Sequence, residues 1–272
     1  MDSDVADREW RLVREEDLDG ARAMAYDEVA AETAAGGGPR TVRVYRWTPS
    51  TLSLGYRQPA SDVDWDWCER EGVDVVRRPT GGGAIYHDSF GDISYSIVAP
   101  AAELPGDLMG TYELLCEPVL EAFRRMGVGA DFADEPRESL HYPSCYLRDV
   151  NPAHDVLAGG RKVSGNAQYR TRDAVIQHGS LSFSTDPERH LSCFADHDVT
   201  PEGFEERVSG IREFADIGRR EAVETLESTL AEWADADPGD WTGAERDRFE
   251  EIADGKYRTD AWTRERTDPL SA

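Results

Sequence analysis

A chain of 272 residues with 39% hydrophobic residues suffices for one large domain, or one domain with a small appendage, around a buried core. A net charge of −25, spread along the whole length, excludes the basic face that non-specific nucleic-acid binding needs. No apolar run reaches the roughly 18 residues of a membrane span, and the acidic start at residues 1–7 is unlike a signal peptide, so a cytoplasmic protein without membrane or nucleic-acid partners is expected.

The carboxylate-rich, lysine-poor composition resembles that of proteins working in concentrated salt, where self-repulsion is screened. Lys162 and Lys256 are the only lysines among 30 basic residues, so each is a candidate for a task arginine cannot do. The four cysteines are far apart, with no C-x-x-C, which suggests neither a zinc site nor a redox pair.

Residues 17–35 read as an Ala-rich helix closed by Gly36-Gly37-Gly38. Strands follow at 42–47 and 51–54, then a short helix at 62–70 whose Trp65 and Trp67 are expected to pack. The strand-like stretches 73–76 and 93–98 flank Arg77-Arg78-Pro79-Thr80-Gly81-Gly82-Gly83-Ala84-Ile85-Tyr86-His87-Asp88. Three glycines permit φ > 0 and leave bare amides, and with two arginines before them and a histidine after, the stretch suits an anion such as phosphate. A plain hairpin turn is the other reading, and the charged flanks favour a site.

Residues 108–126 have core-facing helical spacing, and 131–151 are irregular and punctuated by proline. Residues 155–158, a Gly159-Gly160 turn, 161–168 and 173–184 read as strands, whereas the chain turns helical and acidic from about 187. Residues 219–234 give the clearest helix there, and 242–272 hold one more helix before a frayed end. The whole predicts a mixed α/β fold, a mixed sheet flanked by helices, with residues 1–235 as one catalytic domain and 236–272 as a helix and tail packed on it or trailing from it.

Lys162 lies between two short strands beside Ser164, Gly165 and Asn166. If it faces the Gly81–Gly83 loop, a cation and a set of amides converge where negative charge develops during acyl or phosphoryl chemistry. Arg77–Asp88, followed about seventy residues on by Gly160-Arg-Lys-Val-Ser-Gly165, resembles the lipoate–protein ligase and octanoyltransferase superfamily, relatives of the biotin protein ligases. Ala23-Met-Ala-Tyr-Asp-Glu28, Gln177-His-Gly-Ser180 and Lys256-Tyr-Arg-Thr-Asp-Ala-Trp262 extend the likeness over most of the chain, although Ala23 stands where members often have asparagine.

The resemblance implies a catalytic domain like those of class II synthetases and biotin ligases. It places nucleotide or substrate on Arg78, Gly81, Gly82, Gly83, Ala84, Ile85, Tyr86, His87, Ser164, Gly165, His178 and Gly179, with Lys162 on the lipoyl carbonyl and α-phosphate. The activity expected first is an ATP-dependent ligase that converts lipoate, with Mg²⁺, to lipoyl-AMP. It would then acylate a lysine on a lipoyl-acceptor domain of a 2-oxoacid dehydrogenase or on the glycine-cleavage carrier protein. No metal ligands are assigned from the sequence.

The alternative is an ATP-independent octanoyltransferase that takes octanoyl from acyl carrier protein onto Cys145, which precedes the Arg-Lys-Val segment as in that branch. Such transferases usually carry arginine within the glycine loop. Gly83 is therefore read as keeping the cradle open for a nucleotide, and His141 or His154 as able to activate Cys145. Ligases of the family often carry a further domain, here expected from a separate accessory subunit if at all. A non-catalytic lipoyl-binding module is the remaining reading.

Overall fold

The computed structural model describes residues 9–150 and 155–271. Among them, eight strands form one sheet in the order β11-β1-β2-β6-β10-β9-β8-β7, and three more form a small sheet in the order β4-β3-β5. The strands are β1 (Trp10–Leu18), β2 (Arg40–Trp47), β3 (Thr51–Leu54), β4 (Asp74–Arg77), β5 (Ile85–His87), β6 (Asp92–Pro100), β7 (Ala130–Phe132), β8 (Asp155–Ala158), β9 (Arg161–Arg170), β10 (Ala174–Ser182) and β11 (Asp237–Pro238). The helices are α1 (Gly20–Ala35), α2 (Trp65–Arg70), α3 (Leu108–Arg125), α4 (Pro187–Ser192), α5 (Pro201–Glu205), α6 (Arg219–Ala234), α7 (Gly243–Ile252) and α8 (Asp260–Thr263). The mixed sheet flanked by helices is the predicted fold class.

Alternation along the strands sorts the two faces. Val42 and Val44 of β2 and Ile93, Tyr95 and Ile97 of β6 enter a core with α3 and α6. Tyr45, Trp47, Val98 and Ile176 enter a second core with α1, Phe249 and Trp262. α1 starts after Asp19, whose carboxylate accepts from Arg22 N at 2.8 Å. Ala23, Ala25 and Ala30 are fully buried, so this Ala-rich helix lies close on the sheet.

Three expectations change. Residues 10–18 form β1, and the helix begins only after it. The run Arg14-Glu-Glu-Asp17 hid the strand, because its charges are held by Glu227, Arg219 and Arg46. The glycine stretch is not a hairpin: β4 runs parallel to β3 and β5 antiparallel to it on the other side, so the loop arches past the end of β3. Gly82 has φ +94° there, and a Cβ on Gly55 would lie 1.9 Å from Gly82 O, so both positions exclude side chains.

The tail does not fray. α7 continues into a π-helical turn, Ala253–Tyr257, and then α8. Lys256, the second lysine, is buried and pairs with Glu28 and Asp268 at 3.0 Å each. Trp262 Nε1 donates to Arg77 O at 2.8 Å, and Arg77 Nε donates to Thr263 O at 2.9 Å. Arg77 also donates to the carbonyls of Gly55, Tyr56 and Gln58. It ties the tail to the small sheet and is fully buried. Trp262→Ala removes a buried indole together with its bond to β4 and is expected to cost about 3–5 kcal/mol. Urea unfolding of the two proteins in concentrated salt measures it.

Candidate active site

A cavity of about 340 Å³ lies between the α1 face of the main sheet and the small sheet. Its floor comes from alternate residues of buried strands, Ser94 of β6 and His178 and Ser180 of β10, with Trp47 of β2. Met24, Ile85, Leu108 and Tyr112 add apolar wall, and Gly81, Gly82, Cys145 and Lys162 close on it from the loops and β9. The glycine bend and Lys162 thus share one cleft.

Lys162 reaches that cleft because β9 is irregular. Asp155 pairs with Gly165 and Val156 with Ser164, but Leu157 pairs with Lys162, so one extra residue lies between. The bulge turns Lys162 onto the side shared by Gly165 and Asp155, which regular alternation would deny it. Its ammonium is 2.6 Å from Asp155 Oδ1, donates to Cys145 O at 2.9 Å, and lies 3.9 Å from Cys145 Sγ. Burial pulls its pKa down, but Cys145 and Asp155 more than offset this and hold the ammonium charged. A Cβ at Gly165 would sit 3.3 Å from Lys162 Cε, so that glycine leaves room for the lysine.

Cys145 is half-buried, whereas Cys68, Cys116 and Cys193 are buried. Its loop is docked on the glycine stretch: Ala84 N donates to Pro143 O at 2.7 Å and Cys145 N to Ala84 O at 2.8 Å. The preceding Ser144 is bonded through Oγ to His190 Nε2 at 2.8 Å. Burial pushes the His190 pKa down to about 3, with His87 and His141 adding to the effect, so this imidazole is held neutral. Sequence reasoning missed His190, which lies in a helical, acidic stretch that carried no motif.

The remaining expected site residues divide. Ile85, His87, Gly165, His178 and Gly179 line the cavity with Gly81 and Gly82. Gly179 must be glycine, because a Cβ would meet Asn166 Oδ1 at 2.2 Å, the atom that accepts from Tyr95 OH. Ala84 is a backbone clamp away from the lining, and Tyr86 turns away to accept from Arg189 Nε at 2.9 Å. Ser164 faces the core with its partner Val156. Gly83 does not keep a cradle open: a Cβ there would lie 2.7 Å from Cys145 N and Pro143 O.

Arg78 departs furthest from its expected role. Nε donates to Thr80 Oγ1, one terminal nitrogen donates to Ser53 O and Oγ, and the other donates to Gly81 O and Gly83 O. All five N–H groups of the guanidinium are therefore used within the chain, and none is left for a phosphate. His141 packs its ring on Phe194 at 5.1 Å, outside the cavity lining, and His154 lies outside the described residues.

The lipoyl protein ligase A/B catalytic domain family matches residues 19–232. An octanoyltransferase LipM of Kyrpidia tusciae is 35% identical, over 93% of this chain and 97% of its own. Among solved structures, a bi-partite lipoate protein ligase from Thermoplasma acidophilum, described with its E2 lipoyl domain, is 25% identical. It has a TM-score of 0.78 over 94% of this chain and 96% of that one. A lipoate-protein ligase A bound with ATP is 27% identical, with a TM-score of 0.77 over 94% and 98%. With the family matched across most of its length and its fold shared with lipoate–protein ligases, this chain belongs to the lipoyl protein ligase A/B catalytic domain family.

Proposed function

We propose that the protein is an octanoyltransferase, moving an octanoyl group from a carrier-protein thioester to Cys145 and then to a lysine of a lipoyl-acceptor domain. The observation that carries the reading is a half-buried thiol 3.9 Å from a buried, charged ammonium in the cavity beside the glycine bend. The similarity to an octanoyltransferase LipM over nearly the whole of both chains supports it. This reverses the order expected from the glycine loop, which put an ATP-dependent lipoate ligase first.

In the first step Cys145 Sγ attacks the thioester carbon. The new S–C bond replaces the bond to the carrier's sulfur, which leaves as a thiol with the proton. In the second, the acceptor amine forms the amide C–N bond, and Cys145 leaves and regains its proton. Both steps gather negative charge on the carbonyl oxygen, and the Lys162 ammonium is the preorganised charge facing it. Met24, Trp47, Ile85 and Tyr112 offer the acyl chain an apolar wall.

Neither step calls for ATP or Mg²⁺. The ligase reading keeps support from the solved structure bound with ATP, but the arginine expected to hold nucleotide phosphates has no donor left for them. Among the described residues no three His, Cys, Asp or Glu side chains gather for a metal, so Mg²⁺ would depend largely on the nucleotide's own phosphates.

Purified protein in concentrated salt, given an apo lipoyl domain with octanoyl-carrier thioester, is expected to yield octanoylated acceptor. Lipoate plus ATP should yield none. Cys145→Ala should abolish transfer and the covalent enzyme intermediate seen by mass spectrometry. Product from lipoate and ATP alone would overturn the reading in favour of the ligase. Lys162→Ala is expected to slow single-turnover acylation of Cys145 at least about a hundredfold, the scale of losing an oxyanion donor. Near-normal acylation in that variant would remove Lys162 from the step.

A further inference from the structure

Two chains of buried hydrogen bonds with the same composition end on the Arg78 guanidinium. In one, Asp27 Oδ2 lies 3.3 Å from His178 Nδ1, His178 Nε2 lies 2.8 Å from Thr80 Oγ1, and Thr80 Oγ1 accepts from Arg78 Nε at 3.0 Å. In the other, Asp92 Oδ2 lies 3.0 Å from His87 Nδ1, His87 Nε2 lies 2.9 Å from Ser53 Oγ, and Ser53 Oγ accepts from Arg78 at 3.2 Å. The carboxylates come from α1 and β6, the imidazoles from β10 and β5, and the hydroxyls from the glycine stretch and β3. Every member is buried.

A carboxylate only accepts and an arginine only donates, so a neutral imidazole between them carries its proton on Nδ1 and presents Nε2 as an acceptor. Each hydroxyl then donates to Nε2 while its oxygen accepts from Arg78. A proton added to His178 would break the Thr80 hydroxyl's outgoing bond and bring a cation near Arg78. For His178, burial lowers the pKa, and Arg78 and His87 lower it further against the opposing pull of Asp27. Asp27 is in turn paired with Arg43 at 2.8 Å.

We infer that these two carboxylate–imidazole–hydroxyl relays make Arg78 a positioning residue, which sets the glycine bend against the Cys145 loop. The far side of the guanidinium holds the carbonyls of Gly81 and Gly83, and the next residue, Ala84, exchanges backbone bonds with Pro143 and Cys145. The relays therefore determine where the thiol stands relative to Lys162. Sharing Arg78's orientation between two relays keeps five donors in one geometry without any charge contacting it directly. The inference rests on the acyl-transfer reading for its activity readout and has a second readout that does not.

Thr80→Val keeps the shape of Thr80 and deletes one hydroxyl, Thr80→Ser keeps the hydroxyl, and Ser53→Ala cuts the other relay. Single-turnover acylation of Cys145 by octanoyl-carrier thioester is expected to slow roughly tenfold in Thr80→Val, the scale of one lost buried hydrogen bond. KM for the donor should stay within about twofold, Thr80→Ser should recover most of the rate, and the double variant with Ser53→Ala should lose more than the two single losses combined. Alkylation of Cys145 by iodoacetamide, the other cysteines being buried, should change in the same rank order. Equal acylation and alkylation in Thr80→Val and wild type, or a Thr80→Ser as slow as Thr80→Val, overturns the relays. Wild type that is never acylated overturns the transfer reading, and alkylation rates then decide the relays alone.

Discussion

A charged ammonium stripped of water is tolerable only where its donors are met and its charge is opposed, and the architecture around Lys162 answers both demands. Asp155 reaches it from the neighbouring strand, the Cys145 carbonyl accepts from it, and the sulfur lies just beyond. Each partner depends on a different piece of chain. The bulge in β9 chooses the face, Gly165 clears the space, and the docking of the 143–145 segment on Ala84 brings the thiol. The backbone of Lys162 is held as firmly, its N–H bonded to Arg207 O at 2.8 Å and its carbonyl accepting from Ser209 N at 3.0 Å. The cleft sets Arg78, Arg148 and Lys162 against Asp149 and Asp155, so cations and carboxylates share the lining itself.

Much of the fold was legible because it rests on periodicity. The strands at 42–47, 51–54 and 93–98 and the helices at 108–126 and 219–234 agree closely with the structure, since in each the apolar spacing marks a face that must be covered. β1 escaped because Arg14, Glu15 and Asp17 satisfy their charges through distant partners, which local pattern cannot display. The order of the small sheet escaped for a similar reason. Nothing local in residues 73–88 says that β3 comes between the two strands the glycines connect.

The site was legible in its anchors and not in its wiring. Lys162, Cys145 and the glycine bend stood out by rarity or motif, and they meet. The alternation over residues 93–98 reads as a strand, but it does not say what the polar side meets. That side is buried, with Ser94 and, on β10, Ser180 on the cavity floor, and neither carries a role in the sequence reading. Arg77 and Arg78 were read as facing a ligand because arginine next to glycine suits an anion. The same fork of donors suits backbone carbonyls equally well, and only coordinates show which acceptors are nearer.

The third glycine shows how a motif letter can carry a different physical message from the one first read. Gly83 was taken as room reserved for a nucleotide and therefore as a ligase feature. The space beyond its Cα is filled by the backbone of Pro143, Ser144 and Cys145, at 2.7–2.9 Å from where a Cβ would be. A side chain at 83 would push away the segment that carries the thiol, together with the carbonyl that Lys162 grips. In this chain the close docking of the Cys145 segment on the loop therefore goes with a glycine at 83. The space read as room for a nucleotide is filled by the backbone of the segment that carries the thiol, so it gives adenylation no separate support.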